Sequence, residues 1–209
     1  MKDFIDTQKI KDGLIKDAEI IYYETTDSTN TRLKELAKSG RKTGTVVIAE
    51  NQTSGRGRLG RTFYSPAQSG IYMSLLIQKD DISNIGLLTA HTAVAVCDAI
   101  EKVYFHSKNP TDKSTFGIKW VNDILKNGKK VCGILAESVI EGNETSFIIV
   151  GIGINVYSPE EGFPDEIKNI ADSIFTAPIP NARNMLITEI INNFYTYSPD
   201  FISTYRKKK

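Results

Sequence analysis

The chain has 209 residues, of which 40% are hydrophobic and 24% are charged, and its formal net charge at pH 7 is +1. This composition is typical of globular proteins, and the length suits one domain with a sizeable core. The charge balance argues against the bulk basicity of most nucleic-acid-binding proteins. The sequence shows no signal peptide and no apolar stretch of about 18 residues, so we expect a cytoplasmic protein without a membrane span.

The first third of the chain predicts two strands separated by a helix. Residues 1–17 indicate a short helix or an arm, and residues 19–24 are predicted to form the first strand. We expect Asp27 or Ser28 to cap a helix over residues 29–39. The hydroxyl and amide groups at this helix start would also suit the wall of a polar pocket. Residues 45–49 are apolar, which is typical of a buried strand.

Residues 52–61, here called the glycine–arginine loop, follow this strand. Three glycines and three arginines lie between Gly55 and Arg61. Glycine lets the backbone approach a ligand closely, and the arginine guanidinium suits phosphate and carboxylate oxygens. Pro66 indicates that the following residues are not helical. We expect this loop to wrap around an anion; a basic surface loop without a ligand is the alternative interpretation.

The glycines of this loop also match a dinucleotide-binding pattern. Gly55, Gly57 and Gly60 fit G-x-G-x-x-G. That site needs a helix that begins at the third glycine and holds the pyrophosphate, and no helix signal follows Gly60. The sequence also contains no kinase H-R-D or D-F-G motif and no G-x-x-x-x-G-K-[ST] motif. A Rossmann site, a protein kinase and a P-loop enzyme are therefore disfavoured.

The rest of the chain predicts four more strands, one long internal helix and two C-terminal helices. The predicted bounds are strand 71–77, helix 87–104, loop 105–115, strands 117–125, 131–139 and 147–156, an irregular segment 157–181 with short helical pieces, and helices 183–197 and 199–205. Hairpins are expected at Asn127-Gly128 and at residues 141–144. In the last strand, Gly151 and Gly153 share one face with Asn155, which predicts the floor of a pocket.

The cysteines and histidines predict no metal site. Cys97 and Cys132 lie in apolar runs, so we expect buried free thiols in a reducing compartment. His91 falls in a helical pattern and His106 in a predicted loop, and neither has ligand spacing with the cysteines. No residue is assigned as a metal ligand.

Four stretches, at residues 27–30, 54–61, 119–123 with 128–137, and 151–155, occur together in this order. They resemble the catalytic domain of biotin protein ligases, and the resemblance covers roughly residues 20–156. It implies an α+β fold with a mixed, mainly antiparallel sheet flanked by helices, related to class II aminoacyl-tRNA synthetases. It also implies two half-reactions that use biotin, ATP and Mg²⁺. Biotin would attack the α-phosphate to give biotinyl-5′-AMP and pyrophosphate, and a lysine of a biotin carboxyl carrier protein domain would then take the biotinyl group.

The resemblance assigns roles to individual residues, and catalysis would rest on positioning and charge stabilisation rather than on a nucleophile. The implied catalytic residues are Lys130, Arg56, Arg58 and Asp123. Biotin would be bound by Ser28, Thr29, Asn30, Gln52, Gly55, Arg56, Gly57, Arg58, Lys130, Gly133, Gly151 and Gly153. The nucleotide would be bound by Arg61, Phe63, Asn122 and Asn155. Phe63 would lie near the adenine, where the family often has tryptophan.

The chain is shorter than many members of that family. Residues 1–17 are too few for a winged helix, and the sequence ends about where a small SH3-like domain would begin. We therefore expect residues 1–209 to form a single catalytic domain, with the SH3-like domain absent or truncated. It is expected to bind neither DNA nor a membrane and to be a monomer or a homodimer.

Three alternatives remain. A lipoate or octanoate ligase or transferase would share the fold, but the transferases use a cysteine, and the apolar surroundings of Cys132 make it a poor nucleophile. A biotin-sensing regulator would need a DNA-binding element, and no helix-turn-helix is visible in the sequence. An inactive nucleotide-binding relative is disfavoured because Lys130, Asn122, Asp123 and all three loop arginines are present.

Overall fold

The computed structural model describes residues 3–78, 85–107, 113–141, 144–196 and 207–208. In chain order their elements are α1 (Thr7–Asp12), β1 (Glu19–Thr26), α2 (Thr29–Lys38), β2 (Thr45–Gln52), β3 (Gly70–Gln78), α3 (Ile85–Ser107), β4 (Phe116–Lys119), β5 (Asp123–Lys126), β6 (Lys129–Glu141), β7 (Glu144–Asn155) and α4 (Ala182–Thr196). A single 3-10 turn, Arg58–Gly60, lies inside the glycine–arginine loop. No helix among these described residues is long and apolar enough to cross a membrane.

The strands of the described residues form a seven-stranded sheet in the order β1-β2-β3-β7-β6-β5-β4. β1 and β2 are parallel, because α2 connects them as a crossover, and the other neighbouring pairs are antiparallel. The predicted mixed, mainly antiparallel α+β sheet with flanking helices is confirmed.

Helices cover the two faces of the sheet unequally. On one face, α3 and α4 pack against the inner residues of β3, β6 and β7 and form the larger core. On the other face, Leu33 and Ala37 of α2 pack on Val47, Leu76 and Ile149 in a smaller cluster. Since successive strand residues point to opposite faces, Gly151 and Gly153 share the α2 face with Ile149. This face, beyond the N-terminus of α2, holds the candidate site.

The end of β2 is anchored by a buried ion pair. Arg183 of α4 has no exposed surface, and its Nη2 lies 2.9 Å from Oε1 of Glu50. The same carboxylate oxygen accepts a hydrogen bond of 2.7 Å from the Gln68 backbone N–H. Glu50 therefore ties together the chain on both sides of the glycine–arginine loop.

Several predicted boundaries are wrong in the second half of the chain. Residues 117–125 form two strands, β4 and β5, because the residues after Lys119 make a tight turn that pairs Lys119 with Asp123. His106 lies in the last turn of α3 rather than in a loop. Residues 157–181 contain turns and isolated bridges but no helix. The predicted helix 199–205 lies outside the described residues.

The other predicted elements of this half are confirmed. Asn127 and Gly128 have φ values of 50° and 85°, the left-handed backbone that a two-residue hairpin requires. Glu141 pairs with Glu144 at the second hairpin, and residues 142–143 lie outside the described part. Cys97 and Cys132 are buried free thiols. Burial raises the pKa of Cys97 to about 12 and also raises that of Cys132, so both are poor nucleophiles.

Candidate active site

A cleft on the α2 face collects most of the residues that the sequence predicted for the site. Its lining residues are Ser28, Thr29, Asn30, Gln52, Arg56, Gly57, Arg58, Phe63, Asn122, Lys130, Gly133, Ile134, Leu135, Gly151, Ile152 and Gly153. Four predicted residues, Gly55, Arg61, Asp123 and Asn155, do not line it. The sequence analysis missed the three aliphatic members, Ile134, Leu135 and Ile152.

The N-terminus of α2 forms the polar wall of this cleft. Ser28 occupies the N-cap position but makes no capping hydrogen bond with its side chain. Instead, Oε1 of Gln52 accepts from the backbone N–H and from Oγ1 of Thr29, at 2.8 and 3.1 Å. Ser28 is therefore the N-cap residue, as predicted, but its side chain makes no capping bond, and Gln52 at the end of β2 supplies the acceptor for the first helical N–H instead.

Asp27 is instead paired with Arg32, one turn into α2. The Asp27 carboxylate accepts two hydrogen bonds of 3.0 Å from the Arg32 guanidinium and one of 2.7 Å from the Ser28 N–H. The hydrogen bonds from Arg32, the largest cause, lower the pKa of Asp27 to about 2. Asp27 is thus a structural support of the α2 start rather than an open ligand.

This pKa predicts a pH-dependent contribution to stability. A carboxyl group whose pKa is lowered by folding stabilises the protein above its unfolded pKa, and that contribution disappears as pH falls through the folded value. We expect Asp27→Asn to lower the free energy of unfolding at neutral pH, and the difference from wild type to shrink between about pH 4 and about pH 2. Urea unfolding at several pH values measures this. A difference that does not change with pH would show that Asp27 acts through packing instead.

Three glycines form the floor of the cleft. Gly133 of β6 and Gly153 of β7 are paired across the sheet, and Gly151 lies two residues before Gly153. A Cβ atom at Gly151 would collide with the Asn30 amide, and one at Gly153 would lie 2.6 Å from the Phe63 ring. At Gly133 it would lie 3.0 Å from Nζ of Lys130. The side chains of Asn30 on α2, of Phe63 just after the loop and of Lys130 on β6 therefore approach the strand backbone where no side chain projects from it.

Positive charge lines the opposite part of the cleft. Nζ of Lys130 lies 2.8 Å from Oδ1 of Asp123, and the Lys130 side chain is one-third exposed. Arg58 donates from Nη1 to Oδ1 of Asn122 at 2.9 Å, and Nδ2 of Asn122 donates to Oδ1 of Asp123 at 3.1 Å. Asp123 thus holds Lys130 directly and Arg58 through Asn122, and it does not line the cleft itself.

Arg56 faces a carboxylate that the sequence analysis missed. Its Nη2 lies 2.8 Å from Oε1 of Glu137 on β6. Glu137 is four residues after Gly133, so the two-residue period of a strand places both on the same face. That period is the signal by which Glu137 could have been found.

The other three predicted residues outside the cleft have different surroundings. Gly55 is a buried residue of the loop, and a Cβ atom at this position would clash with the Phe63 carbonyl and lie 2.6 Å from Oγ of Ser65. Arg61 is exposed and borders a second hollow, of about 280 Å³, within the glycine–arginine loop. Nδ2 of Asn155 donates to the Asp172 carbonyl at 3.1 Å, at the end of β7.

Comparison with known proteins identifies the family. The model of the biotin/lipoate A/B protein ligase family matches residues 22–155. The chain belongs to this family. The biotin–[acetyl-CoA-carboxylase] ligase of Mycobacterium tuberculosis is 34% identical to this chain over 191 residues. These residues cover 88% of this chain and 68% of that protein.

Two further comparisons show how far the similarity extends. The bifunctional ligase/repressor BirA of Bacillus subtilis is 42% identical over 159 residues, which cover 76% of this chain and 46% of BirA. The chain thus spans about half the length of that relative. The structure of the biotin protein ligase from Aquifex aeolicus in complex with biotin and ATP matches with a TM-score of 0.72 and 30% identity, over 91% of this chain and 78% of that one.

Proposed function

We propose that this protein activates biotin with ATP to form biotinyl-5′-AMP and transfers the biotinyl group to a lysine of a biotin carboxyl carrier protein domain. The observation that supports this most directly is the arrangement of the cleft. Polar groups of α2 line one part, three glycines form the floor, and Lys130, Arg56 and Arg58 supply positive charge. A ligand with a polar ring, an apolar chain and a carboxylate matches these three parts.

The polar wall would bind the ureido ring of biotin. The hydroxyls of Ser28 and Thr29 and the amides of Asn30 and Gln52 are hydrogen-bond donors and acceptors that a cyclic urea can pair with. Gly133, Gly151 and Gly153 carry no side chains and would leave room for biotin beside the Asn30 amide once Phe63 moves away from Gly153. Several relatives are named as biotin ligases, which supports biotin over other acyl substrates.

The cations would stabilise the adenylation step. Negative charge accumulates between the biotin carboxylate and the α-phosphate when the new bond to phosphorus forms and the bond to pyrophosphate breaks. Lys130 and Arg58 would lie beside this charge and would be held there by Asp123 and Asn122. The enzyme would form no covalent bond to the substrate, and its contribution would be preorganised positive charge.

The glycine–arginine loop would move when the nucleotide binds. The open volume of the cleft is only about 50 Å³, far below the roughly 300–1,000 Å³ of typical small-molecule sites. Phe63 occupies the space above Gly153. We propose that Phe63 leaves this floor and stacks on the adenine, that Asn122 lines the same pocket, and that Arg61 contacts the phosphates. Asn155, at the end of β7, is the fourth residue that we propose for nucleotide binding.

The proposed reaction needs Mg²⁺, which we treat as part of the MgATP substrate. The described residues contain no group of three or more His, Cys, Asp or Glu side chains that could hold a metal ion. The ion would therefore reach the site on the ATP phosphates. Because the reaction consumes ATP and both cysteines are free thiols, we propose the cytoplasm as the place of action.

Pyrophosphate release tests this function without a carrier protein. The protein is mixed with MgATP and, in separate reactions, with biotin, lipoate, octanoate or no acid. We expect release with biotin alone, stopping near one equivalent because the adenylate stays bound. Release with lipoate or octanoate would move the chain to the other acyl ligases of the family. No release with any acid would contradict the proposed adenylation.

A further inference from the structure

Glu137 connects two parts of the cleft that are far apart in the sequence. One carboxylate oxygen, Oε2, accepts a hydrogen bond of 2.7 Å from Nδ2 of Asn30 in the polar wall. The other, Oε1, lies 2.8 Å from Nη2 of Arg56 in the glycine–arginine loop. The Glu137 side chain is 27% exposed. It belongs to none of the predicted roles.

The bond to Glu137 determines how the Asn30 amide is oriented. An ionised carboxylate can only accept, so the NH₂ group of Asn30 must face it. The carbonyl end, Oδ1, lies 2.6 Å from Oγ of Ser74. The amide also rests on Gly151, where a Cβ would collide with Oδ1. Asn30 is thereby held with a defined donor side and a defined acceptor side.

The bond to Arg56 joins the glycine–arginine loop to β6, in addition to the bond from Arg58 to Asn122. At the base, Nε2 of Gln52 donates to Oγ of Ser65 at 2.9 Å, and Oγ of Ser65 donates to the Phe63 carbonyl at 2.9 Å. The Arg56 side chain is 48% exposed, and its ion pair with Glu137 reaches β6. Charge-assisted hydrogen bonds of this kind add geometric specificity as well as energy.

We propose that Glu137 is a positioning residue of this site. One of its oxygens orients the Asn30 amide toward the biotin ring, and the other holds Arg56 and with it the glycine–arginine loop over the cleft. Its effect on the reaction rests on the function proposed above, but its hold on the loop does not. Loss of the bond to Asn30 and loss of the bond to Arg56 should therefore cause two separable defects, the first in biotin binding and the second in the position of the loop.

Two substitutions separate these defects. In Glu137→Gln the remaining carbonyl oxygen can still accept from Asn30, while the new NH₂ group faces Arg56 and cannot pair with it. Glu137→Ala removes both bonds. Glu189→Gln is the matched control, because Glu189 is 24% exposed and pairs with Lys102 at 2.7 Å, on the helix that covers the other sheet face. Thermal unfolding of each variant shows whether it folds.

The first measurement is hydrogen–deuterium exchange of residues 53–63 without any ligand. We expect this segment to exchange about two- to fivefold faster in both Glu137 variants, the scale of a partly exposed ion pair. The control should exchange like wild type. Unchanged exchange in both Glu137 variants would overturn the proposal, whatever the activity of the protein, and Glu137→Gln alone decides it if the alanine variant does not fold.

The second measurement is biotin-dependent pyrophosphate release. The readouts are the biotin concentration that half-saturates the burst rate and the slow release that follows the burst, which reports loss of adenylate. We expect Glu137→Gln to keep the half-saturating concentration within about twofold of wild type but to lose adenylate about two- to fivefold faster, while Glu137→Ala also raises the half-saturating concentration. Equal increases of this concentration in both variants would overturn the assignment of one oxygen to Asn30. If wild-type protein releases no pyrophosphate with biotin, the proposed function fails, and the exchange experiment still decides whether Glu137 holds the loop.

Discussion

Lys130→Ala is expected to slow formation of biotinyl-5′-AMP by roughly 10²–10³-fold, a loss of about 2.7–4 kcal/mol of transition-state stabilisation. Lys130 lines the cleft, and its ammonium group is held 2.8 Å from Asp123 over the glycine floor. The rate falls because one of the preorganised positive charges beside the reacting carboxylate is lost, and Arg56 and Arg58 remain in their own positions. Rapid-quench measurement of adenylate formation gives the rate of this step directly.

Lys129→Ala is the control for this experiment. Lys129 is the neighbouring residue, is exposed and does not line the cleft, so its loss changes the net charge equally without changing the site. We expect its rate to match wild type. A near-wild-type rate in Lys130→Ala would show that the charge stabilisation has been assigned to the wrong residue.

Arg58→Ala is expected to let the adenylate escape roughly 10- to 100-fold faster, the range for loss of a hydrogen bond to a charged group. Arg58 lines the cleft and is fixed by its bond of 2.9 Å to Asn122. Without it, the loop closes less tightly over the mixed anhydride, which then leaves and is hydrolysed in water. Pyrophosphate release should therefore continue well past one equivalent instead of stopping.

Arg56→Ala should show the same defect, because Arg56 lines the same cleft from the same loop. Arg41→Ala serves as the control, since Arg41 pairs with Glu19 at the start of β1 and lies outside the cleft. Retention of one equivalent of adenylate in both loop variants would remove the glycine–arginine loop from the mechanism.

The strands that the sequence predicted best are those whose local pattern has a single interpretation. β2, β3 and β7 contain continuous apolar runs, which are typical of strands buried on both faces, and the Asn127-Gly128 turn requires glycine-type backbone angles. The division of residues 117–125 into β4 and β5 was missed. Its cause is pairing between the two halves, which a scan along the chain does not reveal.

For the candidate site, too, the residues themselves were predictable from the sequence and their pairing was not. The resemblance to biotin protein ligases implied thirteen of the residues that line the cleft. The glycines and arginines among them are also residue types suited to close backbone approach and anion binding. The hydrogen-bond partners were not predictable in this way. Gln52 accepts a hydrogen bond from the first N–H of α2, and Asp123 holds Lys130. Glu137 joins Asn30 to Arg56.

Residue types and their spacing were enough to reveal the resemblance to biotin protein ligases, and that resemblance implied the class of fold and most of the residues at the cleft. The three-dimensional arrangement was needed to show which groups pair across the cleft, that Phe63 lies over Gly153, and that Asn155 bonds to the Asp172 carbonyl instead of lining the cleft. The physical reason is that such pairs join residues distant in the chain, whose separation is set by strand register and loop closure rather than by local propensity.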